Sequence, residues 1–81
     1  MEVLYFAWVR EGVGKGQERV DPPGDVVTVA DLIGWLTARP GYEVLADTTK
    51  LRAAIDQVFV PLDTPLGSAR EVAIFPPVTG G

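Results

Sequence analysis

Two apolar runs stand at opposite ends of this chain, and neither alternates with polar residues. Glu2 to Arg10 reads Glu-Val-Leu-Tyr-Phe-Ala-Trp-Val-Arg, and Arg70 to Phe75 reads Arg-Glu-Val-Ala-Ile-Phe. A strand with one face in water alternates, so runs that are apolar on both parities belong in the middle of a sheet. In the first run Val3, Tyr5, Ala7 and Val9 share one face, and Leu4, Phe6, Trp8 and Arg10 share the other. A chain whose first and last strands are both central has to bring its two ends together. With 81 residues it has room for one domain, near the lower size at which a single core suffices.

The segments between these runs supply one helix and two hairpins. Glu11-Gly12-Val13-Gly14-Lys15-Gly16 superficially resembles a phosphate-binding loop. Its spacing departs from the Walker pattern and no Ser or Thr follows Lys15, so it reads as a hairpin turn leading to a strand over Gln17 to Val20. Asp21-Pro22-Pro23-Gly24-Asp25 is loop by composition. Thr28 with Asp31 three residues on forms a capping box, and Val29, Leu32, Ile33 and Leu36 fall on one helical stripe. Gly34 weakens that helix, Trp35 flanks the stripe, and Arg39-Pro40-Gly41 ends it. Tyr42 to Lys50 is mixed, with a short helical turn around Val44 and Leu45. Leu51 to Val60 reads as a hairpin turning at Asp56-Gln57, and Pro61 to Ser68 as connecting loop. The compact solution is α+β: a mixed sheet with its first and last strands parallel at the centre and the helix across one face. This is the β-grasp, or ubiquitin-like, arrangement, with a domain over 1–75 and an extended tail over 76–81.

The tail is constrained in an unusual way. Pro76 and Pro77 lack N–H groups and hold the backbone extended, so strand pairing stops after Phe75. Gly80 and Gly81 then carry no side chains, which lets bare backbone enter a narrow space. At ~3.3 Å per residue the segment from Pro76 to Gly81 reaches roughly 20 Å, with a free carboxylate at its tip. Gly-Gly alone also suits a frayed end; the whole Phe-Pro-Pro-Val-Thr-Gly-Gly run points to presentation of that carboxylate to other proteins.

Composition narrows the chemistry. The chain has neither cysteine nor histidine, so it lacks a thiolate nucleophile, a disulfide framework, the commonest metal ligand and the commonest general base. No metal site is expected. A net charge of −4 argues against nucleic acid or an anionic membrane as partner. No apolar stretch nears the ~20 residues of a membrane span, and no signal-peptide pattern opens the chain, so a cytoplasmic protein is expected.

On these residues the chain resembles the small-subunit family of molybdopterin synthase, the MoaD-type sulfur carriers. The resemblance is carried by Val3-Leu4-Tyr5-Phe6-Ala7 with Val9-Arg10-Glu11, by Ala53-Ala54-Ile55-Asp56-Gln57, by Asp63 with Pro65-Leu66, and by Glu71 to Gly81. Two departures stand out. Asp56 occupies a turn position where the family usually has asparagine, and Gly67-Ser68-Ala69-Arg70 places a cation where the family tends to be acidic. The resemblance implies that an ATP-dependent adenylating enzyme of the ubiquitin-activating type charges Gly81, next to Gly80. A sulfur donor protein then converts it to a thiocarboxylate, and the tail enters the large synthase subunit to build the dithiolene of molybdopterin from a cyclic pyranopterin precursor. No stably bound cofactor is implied, and the assembly would be a heterotetramer.

Docking requires a surface as well as the tail residues Pro76, Pro77, Val78 and Thr79. If Val72 and Ile74 face the helix, then Ala73, Phe75 and Phe6 face the open side of the sheet, with Phe59 as a neighbour and Arg10 on the same parity. An exposed aromatic cluster there would mark an interface; a register slipped by one residue would make the same aromatics core. Two other functions remain open: a sulfur carrier for thiamin or tRNA thiolation, and a ubiquitin-like interaction module or a modifier joined to lysines. A stand-alone enzyme has no catalytic constellation to support it.

Overall fold

The computed structural model describes residues 1–77. In chain order it contains β1 (Glu2–Tyr5), α1 (Ala7–Val13), β2 (Gln17–Arg19), α2 (Val29–Thr37), β3 (Arg52–Ile55), β4 (Val58–Val60) and β5 (Glu71–Phe75). Short 3₁₀ turns lie at Glu43–Leu45 and Thr48–Lys50. The strands form one sheet in the order β2-β1-β5-β3-β4. β1 and β5 run parallel, from Glu2 opposite Glu71 to Tyr5 opposite Ile74, and the other pairs are antiparallel. The ends of the domain therefore meet at the centre of the sheet, as the two non-alternating runs require, and the arrangement is a β-grasp.

The core lies between the sheet and α2. Val3, Tyr5, Val72 and Ile74 point into it from the central strands, and Val29, Leu32, Ile33 and Leu36 meet them from the helix, all essentially solvent-free. The N-terminus of α2 is fixed twice. Thr28 Oγ1 accepts from the Asp31 N–H and Asp31 Oδ2 accepts from the Thr28 N–H, each at 3.1 Å. Two further free donors of the first turn, the N–H groups of Val29 and Ala30, reach the carbonyls of Thr64 and Leu62. The loop after β4 thus serves as a second cap.

The β3–β4 hairpin turns on two left-handed residues, Asp56 at φ 47° and Gln57 at φ 72°. Such a pair gives the reversed twist that a two-residue hairpin needs. Asp56 Oδ1 also accepts from the N–H groups of Arg70 and Glu71, both at 3.0 Å, and so fastens the turn to the start of β5. Only an acceptor oxygen is used here, and aspartate and asparagine both carry one.

The first run departs from the expected single strand over Glu2–Arg10. β1 stops at Tyr5, Phe6 is still extended, and Ala7 turns the chain at φ 53° into α1. Val9 and Val13, one turn apart, pack on the core from this short helix. The glycines that suggested a hairpin turn have separate roles. Gly14, at φ 88°, ends α1 in a left-handed cap whose N–H bonds to the Arg10 carbonyl at 2.9 Å. Gly12 lets α1 press on the 3₁₀ turn at Glu43–Leu45: a Cβ there would stand 2.6 Å from Val44. Aromatic and β-branched residues favoured a strand, but burial of Val9 and Val13 outweighs that local preference.

These contacts set opposite outcomes for two glycines. Gly34 is exposed on α2 with no atom near its would-be Cβ, so Gly34→Ala should raise unfolding free energy by about 0.5–1 kcal/mol. Gly12→Ala should lower it by about 1–3 kcal/mol, because the short, stiff Val44 side chain has to give way. Urea denaturation of the two variants checks both signs.

Candidate functional site

The sheet face turned away from α2 is built from small residues in the middle and aromatic residues at the side. Leu4 of β1, Ala73 of β5, Ala54 of β3 and Phe59 of β4 stand opposite one another in a single row across the strands. The two alanines form a low floor. In the next row Phe75 lies opposite Arg52, and its ring meets that of Phe59 with centroids 5.3 Å apart and planes tilted by 41°. Phe6, just beyond β1, closes the other side.

These side chains surround a hollow of about 520 Å³, lined by Leu4, Phe6, Ala54, Phe59, Ala73 and Phe75, with Gln57 and Glu71 in its wall at the hairpin end. Across the Phe59–Phe75 pair lies a second hollow of about 340 Å³, lined by Arg52, Ala53, Phe59, Val60 and Phe75. The aromatic pair is thus a ridge between two largely apolar depressions, one with Arg52 and the other with Glu71 in its wall. Phe59 is 73% exposed and Phe6 48% exposed. Leaving that much aromatic surface in water is unfavourable for a small domain unless something covers it. The structure therefore brings Phe6, Phe59 and Phe75 together on the open face, in the register that makes them surface rather than core.

Pro76 and Pro77 follow Phe75 without strand pairing, and Pro77 is exposed. The tail consequently starts at the end of a central strand, beside the aromatic ridge. Val78, Thr79, Gly80 and Gly81 lie outside the described residues. Arg10 does not share a strand face with Phe6, because it belongs to α1. It nevertheless borders a hollow with Leu4, Phe6 and Gln17, and its guanidinium lies over the backbone of Gly16.

A second polar feature was not visible in the sequence. Glu18 on β2 accepts hydrogen bonds from the hydroxyls of Tyr5 at 2.8 Å and Tyr42 at 2.7 Å, and its other oxygen lies 3.3 Å from Arg39 and 3.7 Å from Lys15. Partial burial pushes the Glu18 carboxyl up, but the two hydroxyls and then the two cations outweigh it, and the group is held below its ordinary value. Tyr5 moves upward, chiefly through burial and then through its bond to Glu18. The Arg39 guanidinium also stacks over Trp35 at 4.5 Å. This network ties β1, β2 and the end of α2 together on the side away from the aromatic face. The signal that would have found it is a tyrosine pointing into a core, since a buried hydroxyl needs a partner. Among the described residues no group of acidic, histidine or cysteine side chains is arranged to hold a metal, and no helix is long and apolar enough to cross a membrane.

The depressed Glu18 carboxyl contributes stability above its unfolded value, near pH 4.5, and that contribution disappears as pH falls through the folded value. Glu18→Ala should cost about 2–4 kcal/mol at neutral pH by stranding two hydroxyls and a guanidinium, with Glu18→Gln costing less. Below the titration range the difference between wild type and Glu18→Gln should shrink, which thermal melts across pH will read.

The comparisons with known proteins agree with this geometry. The model of the ThiS family matches residues 3–81. The chain is 44% identical over 82 residues to the molybdopterin synthase sulfur carrier subunit of Escherichia coli (strain K12), covering 100% of this chain and 99% of that one. It is 32% identical over 83 residues to the subunit of the same description from Haemophilus influenzae, with 100% and 99% covered. Among solved structures, a Pyrococcus furiosus protein superposes with a TM-score of 0.76 at 27% identity over 95% of each chain. Small archaeal modifier protein 1 of Haloferax volcanii superposes with a TM-score of 0.70 at 25% identity, again over 95% of each chain. A β-grasp sheet that delivers a Pro-Pro tail beside an exposed aromatic ridge, matched by one family model from its first strand to its last residue, is a ThiS fold: the chain belongs to the ThiS family.

Proposed function

We propose that this chain is the sulfur carrier subunit of a molybdopterin synthase, with the Gly81 carboxylate as the carrier group. The observation that carries the reading is the match over the whole length of this chain to relatives described as molybdopterin synthase sulfur carrier subunits. The relatives' description favours this acceptor over thiamin or tRNA thiolation. The placement of the tail root beside the aromatic ridge supports it, because a tail that enters a partner's active site needs a docking surface at its base.

The chemistry follows from what a carboxylate lacks. Its carbonyl is stabilised by resonance and its leaving group would be oxide, so it does not transfer acyl groups unaided. An adenylating enzyme supplies ATP: a Gly81 oxygen attacks the α-phosphorus, pyrophosphate leaves, and an acyl adenylate forms. A sulfide equivalent from a sulfur donor protein adds to the carbonyl and expels AMP, leaving a thiocarboxylate. Glycine suits both steps because no side chain hinders attack. In the large synthase subunit the thiocarboxylate sulfur displaces an oxygen substituent from a carbon of the cyclic pyranopterin and gives a thioester. Water then attacks the Gly81 carbonyl, the bond from that carbonyl to sulfur breaks, and the carboxylate is regenerated while the sulfur stays on the pterin. A dithiolene holds two sulfurs, so each product consumes two charged tails. Acids, bases and cations for these steps belong to the partners, since this chain has neither histidine nor cysteine. The reading carries with it a cytoplasmic location, no stably bound cofactor, and a heterotetramer with two copies of each subunit.

A second reading is favoured by one observation, the likeness to small archaeal modifier protein 1. There the same Gly81 carboxylate would pass to lysine amines of other proteins as an isopeptide.

Intact mass after incubation with an adenylating enzyme, ATP and a sulfur donor separates the two. A gain equal to exchanging one oxygen for sulfur, absent when Gly81 is deleted, is the expected result; adducts on lysines without that gain would support the modifier reading. Phe59→Asp should fold like wild type, because Phe59 is 73% exposed, yet lose affinity for the large subunit by at least about tenfold. Calorimetric titration of the large subunit measures that loss.

A further inference from the structure

The cations of this acidic chain are not spread evenly. Lys15 and Arg39 pair with Glu18, Arg19 pairs with Glu2, and Lys50 pairs with Asp47. Among the described residues this leaves the guanidinium groups of Arg10, Arg52 and Arg70 without a carboxylate in ion-pair range. All three border the open face. Arg10 lines the hollow beside Leu4 and Phe6, Arg70 stands beside Asp56 and Glu71 at the hairpin turn, and Arg52 lines the depression next to the aromatic ridge.

Arg52 is the most telling of these. It lies directly opposite Phe75, the last residue before the tail, so its side chain stands at the tail root. One nitrogen donates to the Leu51 carbonyl at 2.8 Å and, more weakly, to the Thr49 carbonyl at 3.4 Å. Those bonds fix the side chain and leave the other donors of the fork free for a second group. Its neighbours in the depression, Ala53, Phe59, Val60 and Phe75, are apolar, so no anion lines that depression beside it, and Glu71 lies in the hollow across the ridge. A fixed cation on the edge of an apolar patch, in a chain of net charge −4, is placed to choose a partner and not to keep the chain soluble.

We propose that Arg52 is a specificity contact, and that the surface receiving this tail is an apolar socket with a carboxylate at its rim facing Arg52. This rests on the sulfur-carrier reading, in which the large synthase subunit is the partner that takes up the tail. The contact steers the encounter and fixes the orientation in which the tail enters. Arg10, on the other side of Phe6, adds to the same field.

The test is the association rate of the full chain with the cognate large subunit, measured by stopped flow from low to high salt. Arg52→Glu should slow association by about tenfold at low salt and flatten its salt dependence. Arg52→Lys should keep most of the rate, because the charge remains, and Arg52→Gln should fall between. Arg19→Glu, which makes the same charge change on the outer strand β2, should change the rate by less than about twofold. Equal melting temperatures for wild type and Arg52→Gln would exclude a folding defect. If Arg52→Glu associates like wild type, or if Arg52→Lys is as slow as Arg52→Glu, the proposal is overturned while the carrier reading stands. A wild-type chain that gains no sulfur in the mass assay would overturn the carrier reading, and this proposal with it.

Discussion

Parallel pairing of β1 with β5 is the contact on which everything else in this molecule depends. It joins the two ends of the domain, so the entropy of closing nearly the whole chain has to be offset by what the pairing buries. The offset comes from Val3, Tyr5, Val72 and Ile74, which all enter the core beneath α2. No tight turn can link parallel neighbours, and the chain between them is spent on the helix, the 3₁₀ turns and the β3–β4 hairpin. Function follows from the same constraint: a tail that continues from β5 leaves the domain from its most firmly held strand. Its base is held by strand pairing on both sides.

The two faces of the sheet divide the work. The helix side holds the core and, at its edge, the Glu18 network that locks β2 to the end of α2. The open side is kept thin by Ala54 and Ala73, so the rings of Phe59 and Phe75 stand above a shallow floor with depressions on both sides. A core-like row of large residues there would have given a convex wall. Small residues in the middle and large ones at the margin give this face its relief at the tail root.

Much of this was legible because it depends on spacing within short segments. The stripe Val29, Leu32, Ile33, Leu36 and the Thr28–Asp31 capping box follow from helical period and local hydrogen bonding, and both are present. The parity of Val72 and Ile74 placed Phe75 on the open face, and Asp56-Gln57 marked the hairpin turn. The reading failed at Ala7–Val13, where aromatic and β-branched residues suggest strand. Helix α1 forms because Val9 and Val13 reach the core and Gly12 admits Val44, and both partners are distant in sequence. The Glu18 network was missed for the same reason, since Tyr5, Glu18, Arg39 and Tyr42 share no local pattern.

By itself the sequence determined that both chain ends form central strands, that one amphipathic helix covers the sheet, and that the backbone stops pairing after Phe75 and ends in bare glycine. Each of these rests on the intrinsic period or steric limits of a few adjacent residues. Tertiary structure decided between the two registers left open for Phe6, Phe59 and Phe75, and it alone decided that Arg52 stands at the tail root and that Arg10 projects from a helix instead of a strand. Those are relations between strands far apart in the chain, and only the register of the assembled sheet fixes them.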